Sequence, residues 1–225
     1  MRREGQLIDN DASELLIEAR KWTYSAAVSD CCDAVGLRSQ CVSARLGRIS
    51  GSGPTIGWAR TVEGSGVDAP PTEPYLEEIA FVDSLVSDDF IVGTADPTRC
   101  AVWGELFSIA ALARGAVGAA FDGAVRDVNR TPAEFPVFAA ATHPADTLAR
   151  STYAQVDQPI YFGGVRVASG DLIVADDDGM VVVPRRFAVE VLEASIEKAK
   201  KETTARDLLA QGVLLSVVWK SVGVL

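Results

Sequence analysis

A chain of 225 residues with 48% apolar content can bury a sizeable core without disulfides or a structural metal. Its formal charge of −10 and pI near 4.6 argue against a nucleic-acid partner, because neutralising phosphates needs a basic face. Cys31, Cys32, Cys41 and Cys100 lack C-x-x-C spacing and read as buried thiols. MRREGQLIDN has no apolar leader core, and Val213 to Leu225 is interrupted by Lys220 and too short to span a bilayer, so no membrane partner and a cytoplasmic location are expected.

In chain order, the pattern predicts a helix over residues 12–21 capped by Asp11 or Ser13, and a second over 29–35 with Asp30 and Asp33 as caps. Short strands follow from Arg45 to Glu63, punctuated by Gly51-Ser52-Gly53-Pro54, and a Gly- and Pro-rich loop covers 64–74. A helix over 75–85 and a buried strand over 89–92 lead into Thr94, Ala95, Asp96 and Pro97, a loop placed beside Gly104.

The stretch WGELFSIAALARGAVGAAFDGAVRDV, from Trp103 to Val128, concentrates the chemistry. Leu106, Ile109, Ala110 and Ala113 recur at helical spacing, Gly115 stops the helix, and 117–121 form a short buried strand. Ligands collect beyond the carboxyl ends of strands in open α/β sheets, and that edge delivers Asp122, Gly123, Arg126 and Asp127. At the other end of the unit, amides from Gly104 onward open the helix and form an anion cradle. The planar fork of Arg126 suits a carboxylate, whereas Asp127 is a hard oxygen ligand for Mg²⁺ or Mn²⁺ rather than zinc. On spacing alone, Asp122 and Arg126 also read as a surface salt bridge.

Further strands are predicted over 137–139, 160–162, 165–167, 171–175 and 180–183, with turns at Gly163-Gly164, Ser169-Gly170 and Asp178-Gly179. The acidic run Asp176, Asp177, Asp178 lacks the rest of a calcium loop and reads as turn chemistry with edge protection. His143, the one histidine, precedes Pro144 and reads as structural. The closing SVVWKSVGVL is too apolar for a free tail and should be buried on the parent domain or across a subunit interface.

GELFSIAALARG, GAAFDGAVRDV and FPVFA, with VSDCCDAVGL and IGWARTVE upstream and GGVRVASGDLIVADDDGMVVVP downstream, resemble the 4-hydroxy-4-methyl-2-oxoglutarate/4-carboxy-4-hydroxy-2-oxoadipate aldolase family. The family is also called RraA-like, after the regulator of ribonuclease activity A. The resemblance runs over roughly residues 20 to 220. It implies an α/β fold of the layered β/β/α swivelling type, one domain over 1–225 with N-terminal helices and a helical tail from about residue 186.

For the site, the resemblance implies substrate-binding amides at Gly104, Glu105, Leu106 and Phe107, a substrate arginine at Arg126 and a metal carboxylate at Asp127. It also implies a second catalytic acid at Asp122 and an acidic side chain reaching a neighbouring subunit at Glu202, with Glu197 as the rival. The reaction so implied is cleavage of a 4-hydroxy-2-oxo acid to pyruvate and a second oxo acid through an enolate stabilised by Mg²⁺ or Mn²⁺, in a homotrimer or homohexamer, with oxaloacetate decarboxylation as a side activity. No lysine lies in the motif, which disfavours a Schiff base. Ala140 and Ala141 stand where many relatives carry an Arg-Gly pair, which removes a cation from the substrate's distal end. The alternative is a non-catalytic RraA-like regulator that binds ribonuclease machinery, and an aspartate at 127 favours the enzyme.

Overall fold

In the computed structural model, which describes residues 14–43, 45–70 and 72–224, nine strands of the described residues join one mixed sheet. Its order is β1 (Gly47–Ser50), β6 (Val137–Thr142), β5 (Gly118–Val125), β3 (Asp89–Thr94), β2 (Thr55–Gly66), β10 (Leu172–Ala175) and β11 (Met180–Val183). Two strands lie off this path: β4 (Ala101–Trp103) pairs with β5, and β7 (Ser151–Val156) pairs with β2. The sheet curls because its two longest strands change partners along their length. β2 pairs with β10 through Thr55–Trp58 and with β7 from Val62 to Gly66, and β5 pairs with β3 through Gly118–Asp122 and with β4 at Ala124 and Val125.

Two parallel crossovers lay helices on one face: α3 (Leu76–Asp83) joins β2 to β3, and α4 (Glu105–Ala113) joins β4 to β5. Phe81, Val82, Trp103, Ala111 and Phe121 belong to the core cluster between these helices and the sheet. A separate hairpin, β8 (Ile160–Phe162) and β9 (Val165–Val167), packs against a second cluster with Phe90, Ala120, Phe138 and Ile173. An isolated hairpin is marginal in water. Burial of Ile160, Phe162, Val165 and Val167 at about 1.5–3 kcal/mol each holds it in place. The helix over 14–22 (α1), α2 (Ser25–Ala34) and α5 (Ala188–Ala210) close the β10–β11 end, with Leu16, Val28, Val183 and Leu192 in that core. The result is the mixed α/β architecture with helices at both ends that the resemblance implied.

Several local expectations need correction. The caps assigned to Asp11 and Ser13 lie outside the described residues. Helix α2 starts at Ser25, not Ser29, because the Asp176 carboxylate accepts hydrogen bonds from the Ser25 N–H (2.7 Å) and hydroxyl (2.6 Å). Asp30 and Asp33 therefore lie within α2 instead of capping it, and Asp30 pairs with Lys198 at 3.2 Å. Strands β4 and β7 went unforeseen, and Cys41 is exposed while the other three thiols are buried. In α4 only Ala110 of the predicted apolar stripe packs against the core: Leu106 is 75% exposed and Ile109 46%, while Ser108 and Ala111 are buried. The terminal α6 (Leu215–Val222) buries Val218 but leaves Leu215, Val217 and Trp219 exposed within the chain.

Candidate functional site

Strand β5 runs four residues beyond its expected end, so Asp122 and Gly123 lie inside it and Arg126 and Asp127 emerge at its carboxyl edge. The Arg126 N–H donates to the Trp103 carbonyl at 2.9 Å, which ties the end of β5 to the end of β4. Asp127 adopts the left-handed conformation (φ 57°), uncommon for a non-glycine residue. Its carbonyl accepts the Arg130 and Thr131 amides at 2.8 and 3.1 Å in a short 3-10 turn.

This turn sets the Asp127 carboxylate against Gly104, the N-cap of α4. A Cβ at residue 104 would stand 2.8 Å from Asp127 Oδ2 and 3.2 Å from Arg126 Cγ. With φ at −162° the backbone here is ordinary extended chain, so glycine serves to leave space for the Asp127 carboxylate and not to permit the backbone conformation. The amides of Glu105, Leu106 and Phe107 form the first turn of α4, where helix geometry supplies no intrahelical acceptor. Ser108 locks the turn: its N–H and hydroxyl donate to the Gly104 carbonyl at 3.1 and 3.0 Å, and it accepts the Trp103 indole N–H at 2.9 Å. Trp103 in turn stacks on Phe121, with centroids 5.3 Å apart.

These residues form one wall of a cavity of about 300 Å³. The facing wall carries Tyr75, Ile79, Asp146 and Thr147. Asp146 accepts hydrogen bonds from the Tyr75 hydroxyl (2.5 Å) and the Thr147 N–H (2.7 Å). Arg126 lies between two carboxylates, with Nε 3.5 Å from Asp127 Oδ2 and Nη1 3.6 Å from Asp146 Oδ1. Both separations exceed a closed hydrogen bond, so the guanidinium is held electrostatically and keeps donors for a ligand. Partial burial pushes the Asp146 carboxyl up, but the Tyr75 hydroxyl, the Thr147 amide and the Arg126 charge outweigh it and leave it below the ordinary range. The Asp146 hydrogen bond, with partial burial, raises Tyr75, which stays protonated.

Of the residues expected at the site, Gly104, Leu106, Phe107, Arg126 and Asp127 line this cavity, and Glu105 stands beside them at the helix start. Asp122 does not join them. Its side chain points to the β8–β9 turn, pairs with Arg45 and accepts the Gly163 N–H at 3.3 Å. Glu202, expected to reach a neighbouring subunit, is engaged within its own chain: it accepts the Tyr24 hydroxyl and pairs with Lys198 at 3.1 Å. Glu197 pairs with Lys201 at 2.6 Å on the surface. The loop from Thr94 to Pro97 lies elsewhere, since Ala95 packs on Gly64 and Gly123 and none of the four residues lines the cavity. His143 is structural, accepting the Ala145 N–H at 3.0 Å on Nδ1 within the loop that carries Asp146.

Tyr75, Asp146 and Thr147 were not foreseen. Their one local signal was an aspartate in the Pro-containing loop after β6, far in sequence from the motif.

The charges at the cavity wall, two carboxylates and one guanidinium, sum to about −1. An anionic oxo acid would therefore meet repulsion unless a cation intervened. Among the described residues no group of three His, Cys, Asp or Glu side chains could hold a metal ion. The donor set does fit Mg²⁺ or Mn²⁺, which are commonly held by one or two carboxylates with water and substrate oxygens completing the shell. Asp127 is the carboxylate so placed, 40% exposed at the cavity wall.

A family model described as RraA-like, Aldolase/RraA, matches residues 25–182. The chain is 29% identical over 215 residues to protein DlpA of Legionella pneumophila, covering 93% of this chain and 34% of DlpA. It is 30% identical over 160 residues to a protein of Halalkalibacterium halodurans provisionally named 4-hydroxy-4-methyl-2-oxoglutarate aldolase, covering 71% of this chain and 73% of that one. The chain thus spans about a third of DlpA's length. Among solved structures, an uncharacterized protein from Pseudomonas syringae superposes with a TM-score of 0.81 at 25% identity, covering 93% of this chain and 94% of the other. Streptomyces coelicolor RraAS2, described as an unusual member of the RNase ES inhibitor RraA protein family, shares the fold with a TM-score of 0.73 at 24% identity, over 86% of this chain and 96% of its own. Among the described residues no helix is long and apolar enough to cross a membrane.

Proposed function

The chain belongs to the RraA-like family, Aldolase/RraA, and from that premise we propose that it is a divalent-metal-dependent aldolase cleaving a 4-hydroxy-2-oxo di- or tricarboxylic acid to pyruvate and a second oxo acid. The observation that carries this reading is that Arg126, Asp127 and the residues that open α4, Gly104, Leu106 and Phe107, line one cavity. The aldolase name attached to the Halalkalibacterium relative agrees with it.

The cation, Mg²⁺ or Mn²⁺ held by Asp127, would supply the Lewis acidity that stabilises pyruvate enolate when the C3–C4 bond breaks. The chain's own residues do the rest. The amides of Glu105, Leu106 and Phe107, with Gly104 leaving room for approach, hold the 2-oxo acid's carboxylate at a helix N-terminus. Arg126 orients the C4 hydroxyl or an adjacent carboxylate, and Asp146, itself held by Tyr75, steadies the guanidinium electrostatically from the facing wall. Asp122 acts as a brace between β5 and the β8–β9 turn, since its carboxylate is committed to Arg45 and the Gly163 amide. Oxaloacetate decarboxylation passes through the same enolate and is expected as a side activity. The carboxylate at position 127 separates this reading from a non-catalytic regulator of ribonuclease machinery.

A coupled pyruvate assay with a panel of 4-hydroxy-2-oxo acids and oxaloacetate tests the proposal. Pyruvate release should require Mg²⁺ or Mn²⁺, cease with chelator and fall by about 10²–10³-fold in Arg126→Ala. Undiminished turnover in excess chelator, or no pyruvate from any member of the panel, would overturn it.

A further inference from the structure

A second groove, of about 610 Å³, shares no lining residue with the Arg126–Asp127 cavity. Its walls come from the segment after α2, from β9 and from the turn that leads β11 into α5, and they carry Arg166, Arg185 and Arg186. The chain has 31 acidic residues against 21 lysines and arginines, yet among the described residues none of these three arginines joins an ion pair.

Two of them are positioned in advance. The Arg185 guanidinium lies 3.9 Å from the ring centroid of Trp58, and that of Arg186 lies 4.8 Å from that of Phe187. Stacking occupies a face of each guanidinium and leaves its N–H edge for a ligand, so less rotamer freedom is lost on binding. One carboxylate does line the groove, Asp171, 8% exposed. It is committed to backbone, accepting the Ala168 N–H and the Arg185 N–H at 2.9 Å each. The groove has the size of a small-molecule site. Three guanidinium groups line the groove against one carboxylate that is already taken up by backbone N–H donors, and this excess of positive charge calls for an anionic ligand.

We propose that this groove binds a small trianion, of either the phosphoanhydride or the tricarboxylate kind, on the guanidinium groups of Arg166, Arg185 and Arg186. The full chain, free of added divalent cation, should be titrated calorimetrically with pyrophosphate and with citrate at constant ionic strength set by chloride. Saturable binding of one anion per chain is expected, weakened about tenfold or more by Arg185→Gln or Arg186→Gln and unchanged by Arg126→Ala. Binding of pyrophosphate alone assigns the phosphoanhydride class, of citrate alone the tricarboxylate class, and of both a site that reads charge. In the unsubstituted chain the affinity should fall steeply as chloride rises. No binding above the chloride background, a salt-insensitive affinity, or equal affinity in the triple variant R166Q/R185Q/R186Q would overturn the proposal. So would a drop in solution mass of the triple variant with no anion binding by the parent chain, which would make the groove a contact between copies.

Discussion

The close approach of Gly104 to Asp127 offers a substitution whose effects on fold and chemistry separate. In Gly104→Ala the new methyl would meet the tip of the Asp127 side chain at 2.8 Å, and a side-chain tip can move aside without disturbing backbone. Stability should change by less than about 1 kcal/mol, while pyruvate release falls at least about tenfold because the carboxylate is pushed from its place. Parallel chemical denaturation and turnover measurements check this, and equal losses in both would count against it.

Glu78 is a second informative residue. It is 2% exposed, its Oε2 has no hydrogen-bond partner among the described residues, and burial pushes its carboxyl above the ordinary 4.5. A carboxyl with a raised folded pKa contributes its full stability below the unfolded value and loses it as pH rises through the folded value. Glu78→Gln should therefore raise the melting temperature at pH 8 and change it little at pH 4. An identical shift at both pH values would contradict the assignment. Asp146 has the opposite sign. Its lowered carboxyl stabilises the fold above about 3.8, and that contribution is lost as pH falls through its folded value. At this scale Arg126, Asp127 and Gly104 were legible because they are neighbours in one turn-helix-strand unit. Asp146 and Tyr75 were not, because β6 and α3 bring them to the cavity from distant parts of the sequence.

Among the elements, β3 and β5 decide where the site sits. A Cβ at Gly93 on β3 would stand 2.4 Å from the Phe121 ring and 3.1 Å from Val62 Cγ1, in the middle of the sheet. Phe121 cannot yield cheaply, since it is stacked on Trp103 behind the cradle. Gly93→Ala should destabilise the chain by about 1–3 kcal/mol, seen as a lower urea midpoint at unchanged slope. A midpoint equal to that of the parent chain would mean that β3 and β5 do not approach so closely. Strands with uniform apolar runs, such as 180–183, were legible from the sequence. β7 was not, because its pattern is largely polar and only Tyr153 is buried, and three-residue β4 is too short to show a period. The face of α4 was misjudged because its spacing predicts an apolar stripe while the tertiary fold buries the small residues Ser108 and Ala111 instead.

At the scale of the whole molecule, exposed apolar side chains gather at two places: Leu76, Ile79, Leu106 and Ile109 beside the cavity, and Leu214, Leu215, Val217 and Trp219 along α6. Apolar side chains exposed in groups mark interaction surfaces. We propose that it is covered by further copies of this chain, consistent with the trimers or hexamers implied by the family resemblance. The variant V217D/W219D should lower the mass measured by light scattering, and an unchanged mass would remove α6 from any assembly. The layered α/β plan was legible because the resemblance extends over most of the chain. The ionic placements, such as Asp122 on Arg45 and Glu202 on Tyr24, were not, because charged side chains carry no periodic signal of their partners.

If the Asp127–Arg126 cavity stabilises pyruvate enolate with a divalent cation, it should labilise the C3 protons of pyruvate itself. Exchange of the pyruvate C3 protons for deuterium, followed by NMR in Mg²⁺-containing D₂O, reads enolate formation without any assumption about the natural substrate. Asp127→Asn is the right comparison because asparagine tolerates the left-handed backbone at this position. The parent chain should exchange these protons about 10²-fold or more faster than the variant, and only with the metal present. Equal exchange rates in the two proteins would contradict enolate stabilisation at this cavity.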